Sequence, residues 1–282
     1  MKQVYDIKMI QPIKINDLIR VGKNGDGGYI LSKRHLEQTE TLLSFGISNE
    51  WSFEKHFIEL SGQETKLYAL DASVSLNSFR IKSILYFFLM IFRFLSGSIS
   101  RAKKSMSLWI DYSKNVRNFN KFFSTKSHKY FIPMFLGQKD NNIYMSVEKL
   151  FKDHVGETKD LSIFVKMDIE NWEYRTLPQF KSFFDKINGF AIEFHELDIT
   201  SSIFVEMLKT LSSDFYIAHI HANNYGGVIH ETNLPLVLEI TFINKKIVTD
   251  TTLSSETYPI AGLDFPNNKE ECEIPIVFNS TL

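Results

Sequence analysis

Short, nearly unbroken apolar runs alternate along this chain with amphipathic stretches, and that alternation restricts its fold more than any other feature. "TLLSFG" (Thr41 to Gly46), "KLYALD" (Lys66 to Asp71), "KYFIPMFLG" (Lys129 to Gly137), "LSIFVKMD" (Leu161 to Asp168), "GFAIEF" (Gly189 to Phe194) and "FYIAHIH" (Phe215 to His221) are rich in β-branched and aromatic residues. Such runs form strands buried on both faces, as in parallel sheets. Between them, "EWSFEKHFIELSG", "SVEKLFKDH", "EYRTLPQFKSFFDKI" and "SIFVEMLKTLSSD" repeat apolar residues at three and four, which predicts crossover helices. "PLVLEITFIN" alternates more and is led by Pro235, suiting a last strand placed antiparallel at or near an edge. Strands alternating with helices predict a doubly wound α/β sheet. No repeat period is present, which excludes solenoids and propellers.

One connection breaks the rhythm. Ala72 to Lys129 spends 58 residues between the second and third strands, where a helical crossover needs about a dozen or somewhat more. Residues 72–129 therefore read as a helical insertion within one domain spanning 1–282. Composition matters here. The whole chain has a formal net charge of -1, which argues against a nucleic-acid-coating protein. The stretch from Ala72 to Lys126, however, holds Arg80, Lys82, Arg93, Arg101, Lys103, Lys104, Lys114, Arg117, Lys121 and Lys126 against the single acid Asp111. Its charge is +9, leaving -10 on the remainder. At its centre Ile84 to Leu95, "ILYFFLMIFRFL", is apolar all round except for Arg93. As a helix it reaches about 18 Å, short of the roughly 30 Å hydrocarbon core of a bilayer. Three readings stay open: a helix lying in the membrane interface, a lid or homodimer contact, and a basic groove for a pyrophosphate-bearing substrate.

Cys272 is the only cysteine, so an intrachain disulfide and a multi-cysteine zinc site are excluded. Charges interrupt the apolar residues of "MKQVYDIKMIQPIKIND", so no secretory signal is expected there; the expected location is the cytoplasm, including its membrane face.

In open α/β sheets, ligands sit beyond the carboxyl ends of the strands, so the residues that end each strand are the candidates. The first strand ends in Gly46, and Asp71 follows 25 positions later, the layout in which a carboxylate grips ribose hydroxyls. There is no G-x-G-x-x-G, so a nucleoside without a pyrophosphate fits better than NAD or FAD. The fourth strand brings Asp168 and Glu170 to this edge, the fifth Glu193 and His195, and the sixth His219 and His221 on one face. Asp71 and Asp168 could equally be helix N-caps, Gly27 and Gly28 a simple turn, and His219 a packed core residue.

Taken in order, "RVGKNGDGGYIL", "LLSFGISNEWSFE", "LYALDAS", "VKMDIENWEYRTL", "IEFHELD" and "HIHANN" followed by "PLVLEITF" resemble the FkbM-like group of S-adenosylmethionine-dependent methyltransferases. "GLDFPNNKEECEIPIVF" is similar to the tail of bacterial members from surface-polysaccharide clusters. The resemblance implies a class I fold of seven strands. It implies that the cofactor lies over Gly46 and Ser48 with its ribose on Asp71, its adenine beside Leu136 to Gln138 (with Gly137), and Asp26, Gly27 and Tyr29 nearby. It places Asp168 close to the sulfonium and the reacting hydroxyl. Asn171 stands where such motifs have glycine; asparagine tolerates the left-handed turn. Catalysis would use His221 or His195 as base, or a magnesium or manganese ion on Asp168, Glu193 and His221. The implied acceptor is a sugar or glycan hydroxyl. A different class remains open: a non-catalytic assembly protein that binds partners on a degenerate methyltransferase fold.

Overall fold

The computed structural model describes residues 5–123, 128–230 and 232–278; Lys126 of the basic insertion lies outside them. The central sheet is built from β1 (Thr41–Phe45), β2 (Lys66–Leu70), β3 (Lys129–Ile132), β4 (Ile163–Met167), β5 (Ile187–Phe194), β6 (Phe215–Ala222) and β7 (Leu238–Asn244). Their order across the sheet is β6-β7-β5-β4-β1-β2-β3. β1 to β5 run parallel, whereas β7 is antiparallel to both neighbours. β7 thus lies one place in from the edge, which is β6. Its seven residues are all buried, an environment that its partly alternating sequence does not announce.

The third apolar run divides at Pro133, whose missing N–H ends the ladder. β3 stops at Ile132, and Phe135–Leu136 pairs instead with Tyr144–Met145. A hairpin of Leu18–Val21 and Tyr29–Ser32, absent from the sequence expectations, covers one face of the sheet, where Thr241 Oγ1 donates to the Ile30 carbonyl at 2.7 Å.

Of the helices, α1 (Ser52–Ser61) buries Phe53, Phe57 and Ile58. The insertion forms a hairpin of α2 (Leu76–Leu95) and α3 (Ile99–Phe122). The Ser75 hydroxyl caps α2 by accepting from Ser78 N at 2.9 Å. "SVEKLFKDH" makes one α-turn, Val147–Leu150, then widens to a π-turn. "EYRTLPQFKSFFDKI" is helical only over Glu173–Thr176 before becoming 3-10, where Pro178 removes a helical donor. α4 (Leu197–Leu211) completes the layers.

The two faces of the sheet differ near its carboxyl edge. Leu43, Phe45, Val165, Met167, Ile192 and Phe194 pack on one side in the larger core. On the other side Leu42, Phe164 and Ala191 pack under α1 and the hairpin. By strand alternation, Ser44, Lys166 and Glu193 share that second face. These three polar groups are buried beneath the carboxyl edge of the sheet.

Candidate active site

β1 lies between β2 and β4, so the chain leaves β1 and β4 in opposite directions and a crevice opens beyond their carboxyl ends. Gly46, following β1, has φ +76°, and a Cβ there would fall 1.7 Å from the Asp168 carbonyl oxygen. Glycine is required first by the close approach of these two strand ends. Asp168 N donates to the Phe45 carbonyl at 3.1 Å, and Gly46 N to that of Leu70 at 3.2 Å, tying the ends of three strands together.

Beside this junction is a cavity of about 380 Å³. Gly46, Ser48, Asp71, Ser73, Asp168 and Glu170 form its polar side, and Phe135, Leu136, Tyr144, Ile169 and Trp172 much of its apolar side. Asp71 accepts from Ser48 N at 2.8 Å through Oδ2, and from Ser73 N at 2.8 Å and Ser73 Oγ at 2.6 Å through Oδ1. It is not a helix cap, because α2 starts later and is capped by Ser75. Nor is Asp168, since the helix after it begins at Glu173 with Trp172 at the cap position. An ionised carboxylate has about four acceptor sites, so Asp71 retains capacity toward the cavity. Ser48 adopts φ +46°, which turns its N–H onto Asp71.

The apolar wall is aromatic. Tyr144 stacks on Trp172 at 5.1 Å between centroids, and Phe135 lies 5.8 Å from Tyr144. Gly137 stands behind this wall: its Cα packs on Tyr144, where a Cβ would meet the tyrosine Cβ at 2.8 Å, and its carbonyl accepts from Gln179. Of the segment Leu136 to Gln138, Leu136 lines this cavity, beside Phe135 and the two later aromatics.

On the other side of Asp168 is a cluster of charged groups, several of them buried. The ligating atoms of Asp168, Glu193 and His195 all lie within 4.8 Å of one another. His195 Nδ1 is 2.6 Å from Glu173 Oε1, which fixes the ring. Its Nε2 faces Glu170 at 3.7 Å, Glu193 at 3.8 Å and Asp168 at 4.0 Å. Burial acts against a charged ring, but the bond to Glu173 and the nearby carboxylates outweigh it and push His195 up to about 9. Burial, then the charges of Asp168 and Glu239, raise the Glu193 carboxyl well above the usual range. Asn223 donates to Glu193 at 2.6 Å, and the buried Tyr29 hydroxyl is 3.5 Å away. Lys166, buried beneath, donates to the Gly46 carbonyl at 2.7 Å and lies 3.4 Å from Asp168. Glu170 and Asn171 both take positive φ, 52° and 72°, so asparagine does hold a left-handed turn in the glycine position.

His221 sits elsewhere. It is buried between Glu239 at 3.1 Å and Glu273 at 3.2 Å. Burial opposes its charge, yet these two bonds push it up to about 10. The trio expected from sequence, Asp168, Glu193 and His221, is not brought together, because Glu239 and Glu273 occupy both ring nitrogens of His221; the groups that do meet are Asp168, Glu193 and His195. Glu239 is paired with Glu193 on one side and with His221 on the other, so the three form a row across β5, β7 and β6. His219 is a core residue, paired with Asp264 at 3.1 Å and edge-on to Tyr258. Asp26 is exposed, feels the charges of Asp168 and Glu239 and is hydrogen-bonded by Asn267, and Gly27 supplies a turn at φ +80°.

Sequence reading missed Lys166, Glu173, Asn223, Glu239, Tyr144 and Trp172. Lys166 and Glu239 did leave a signal, each being the lone charge within a buried run; a charge in such a place needs a partner. Tyr144 and Glu173 leave none, since only the fold brings them to the site.

The fold is a doubly wound, Rossmann-like α/β fold, seven strands with one reversed beside the edge. Solved structures that overlap the chain include the precorrin-6y C5,15-methyltransferase of Geobacter metallireducens, at 8% identity over 76% of this chain and 86% of that one, with a TM-score of 0.36. Another is the fibrillarin pre-rRNA processing protein of Methanococcus jannaschii, at 11% identity over 82% and 84%, with a TM-score of 0.35. No protein-family model and no curated protein matches the chain.

Proposed function

We propose that this protein is an S-adenosylmethionine-dependent methyltransferase of the FkbM-like kind, acting on a hydroxyl of a sugar or surface glycan. The observation that carries the reading is the meeting of Gly46 and Asp168 at the switch point of the sheet, with Asp71 and an aromatic wall on one side and an acidic cluster on the other. The glycan acceptor rests on the motif resemblance and the tail.

These residues fit the cofactor. Asp71 has acceptor capacity for ribose hydroxyls, and Phe135, Tyr144 and Trp172 offer ring faces to a flat base. The carboxylates around Asp168 favour a cation. When bound, S-adenosylmethionine supplies an electrophilic methyl group on a sulfonium.

Transfer to an alcohol forms a carbon–oxygen bond, breaks a carbon–sulfur bond and releases the hydroxyl proton. His195 serves as the base in its neutral form, with Nε2 turned to Asp168 and Nδ1 held by Glu173; because these carboxylates push its pKa up to about 9, base-dependent activity is expected to rise with pH toward 9. The mixed carboxylate and imidazole set of Asp168, Glu193 and His195 also suits magnesium or manganese, which would lower the hydroxyl pKa in place of a base. A chelator separates the two. Activity unchanged by chelator and abolished in His195→Ala assigns the base; activity lost to chelator and restored by magnesium assigns the ion. The overall reading is tested by incubating the protein with S-adenosylmethionine and a panel of nucleotide sugars and glycans. A mass gain of one methyl group on a hydroxyl is expected; methyl transfer to nitrogen or carbon alone would overturn the acceptor class.

A further inference from the structure

The helical hairpin of the insertion has two unlike sides. At its root Trp51 packs against Phe79, Phe119 and Phe123, anchoring it to α1. Further out the helices hold each other: Tyr86 stacks on Tyr112 at 5.5 Å, Phe87 meets Trp109 at 5.3 Å, and Arg93 donates to Ser105 at 2.6 Å. These contacts use one side of α2. On the opposite side Ile81, Ile84, Leu85, Phe88, Phe92 and Leu95 are between 50% and 79% exposed. Their spacing of three and four makes a continuous stripe about 21 Å long at 1.5 Å per residue. No helix among the described residues is long and apolar enough to cross a membrane.

We propose that this stripe docks the protein on an anionic membrane surface, with α2 lying in the interface. Charge selects this occupant. At about 100° per residue the exposed Arg80 and Lys82 fall on either flank of the stripe. Cations beside an apolar face are what an anionic lipid interface binds. A second copy seated stripe to stripe would instead bring two inserts of +9 together. The remaining -10 of the chain is repelled by the same surface, which orients the molecule with its hairpin down. α2 starts at Leu76, shortly after Asp71, so the docked element is rooted beside the cofactor cavity.

Flotation of the whole protein with phosphatidylcholine vesicles, with and without phosphatidylglycerol, tests this. Wild type is expected to float with the anionic vesicles, at least tenfold less with neutral ones, and progressively less as salt rises. Phe88→Ser with Phe92→Ser, and separately Arg80→Glu with Lys82→Glu, should each lose most of the binding. All four side chains are exposed, so the thermal midpoint should hold. Wild type that remains with the bottom fraction overturns the proposal; if it is also a dimer that Phe88→Ser dissociates, the stripe belongs to a second copy. Flotation unchanged in both variants overturns it equally.

Discussion

Asp71 joins two loops through three accepted hydrogen bonds and still lines the cavity, so its loss acts on binding more than on the core. Two further bonds from ribose hydroxyls to a carboxylate are worth on the order of 1–3 kcal/mol together. Asp71→Ala is accordingly expected to weaken S-adenosylhomocysteine binding about 10- to 100-fold by calorimetry. His221 gives a different test. Its pKa of about 10 in the folded protein stands above the roughly 6.5 of free histidine. The stabilisation from Glu239 and Glu273 is therefore complete below about pH 6.5 and is lost as the pH rises toward 10. Between pH 7 and 10 the thermal midpoint of wild type should fall more steeply than that of His221→Gln; parallel curves would show that the pair contributes nothing. Asp71 and Asp168 were legible as acids ending buried runs. The confinement of His221 was not, because Glu273 lies 52 positions along the chain and reaches it only through the fold.

Elements show the same division between what is local and what is not. Strand and helix alternation fixed β1, β2, β4, β5 and β6 closely, since buried parallel strands declare themselves in unbroken apolar runs. The antiparallel placement of β7 near an edge was legible too, but not which strands flank it, because neighbours in a sheet are chosen by tertiary pairing rather than by sequence pattern. The Leu18–Ser32 hairpin was invisible for a related reason. Its strands are four residues each, and their burial comes from packing on β7 and β5. Rooting of the insertion rests on one aromatic knot. Trp51→Ala removes the ring shared by Phe79, Phe119 and Phe123 and should cost about 3–5 kcal/mol in denaturant unfolding. A loss below about 1 kcal/mol would mean that the hairpin is not anchored there. Gly46→Ala is a second test at this scale. Its Cβ collides with the Asp168 backbone, so β1 and β4 must part, and both cofactor binding and stability should fall together.

Across the whole molecule, a net charge of -1 conceals two regions of opposite sign, a basic apolar hairpin and an acidic α/β body. The body concentrates its acids at the carboxyl edge of the sheet, where Asp168, Glu193 and Glu239 are held by Lys166, Asn223, Asn267 and two histidines. That edge is where this fold binds ligands, and it is also where the hairpin takes root. We propose that the cavity beside Gly46 and Asp71 takes the adenosyl cofactor. Titration calorimetry of the intact protein with S-adenosylhomocysteine tests it most directly. Saturable binding at one site per chain, abolished or strongly weakened by Asp71→Ala, is expected; a folded wild-type protein that binds neither S-adenosylhomocysteine nor S-adenosylmethionine would contradict it.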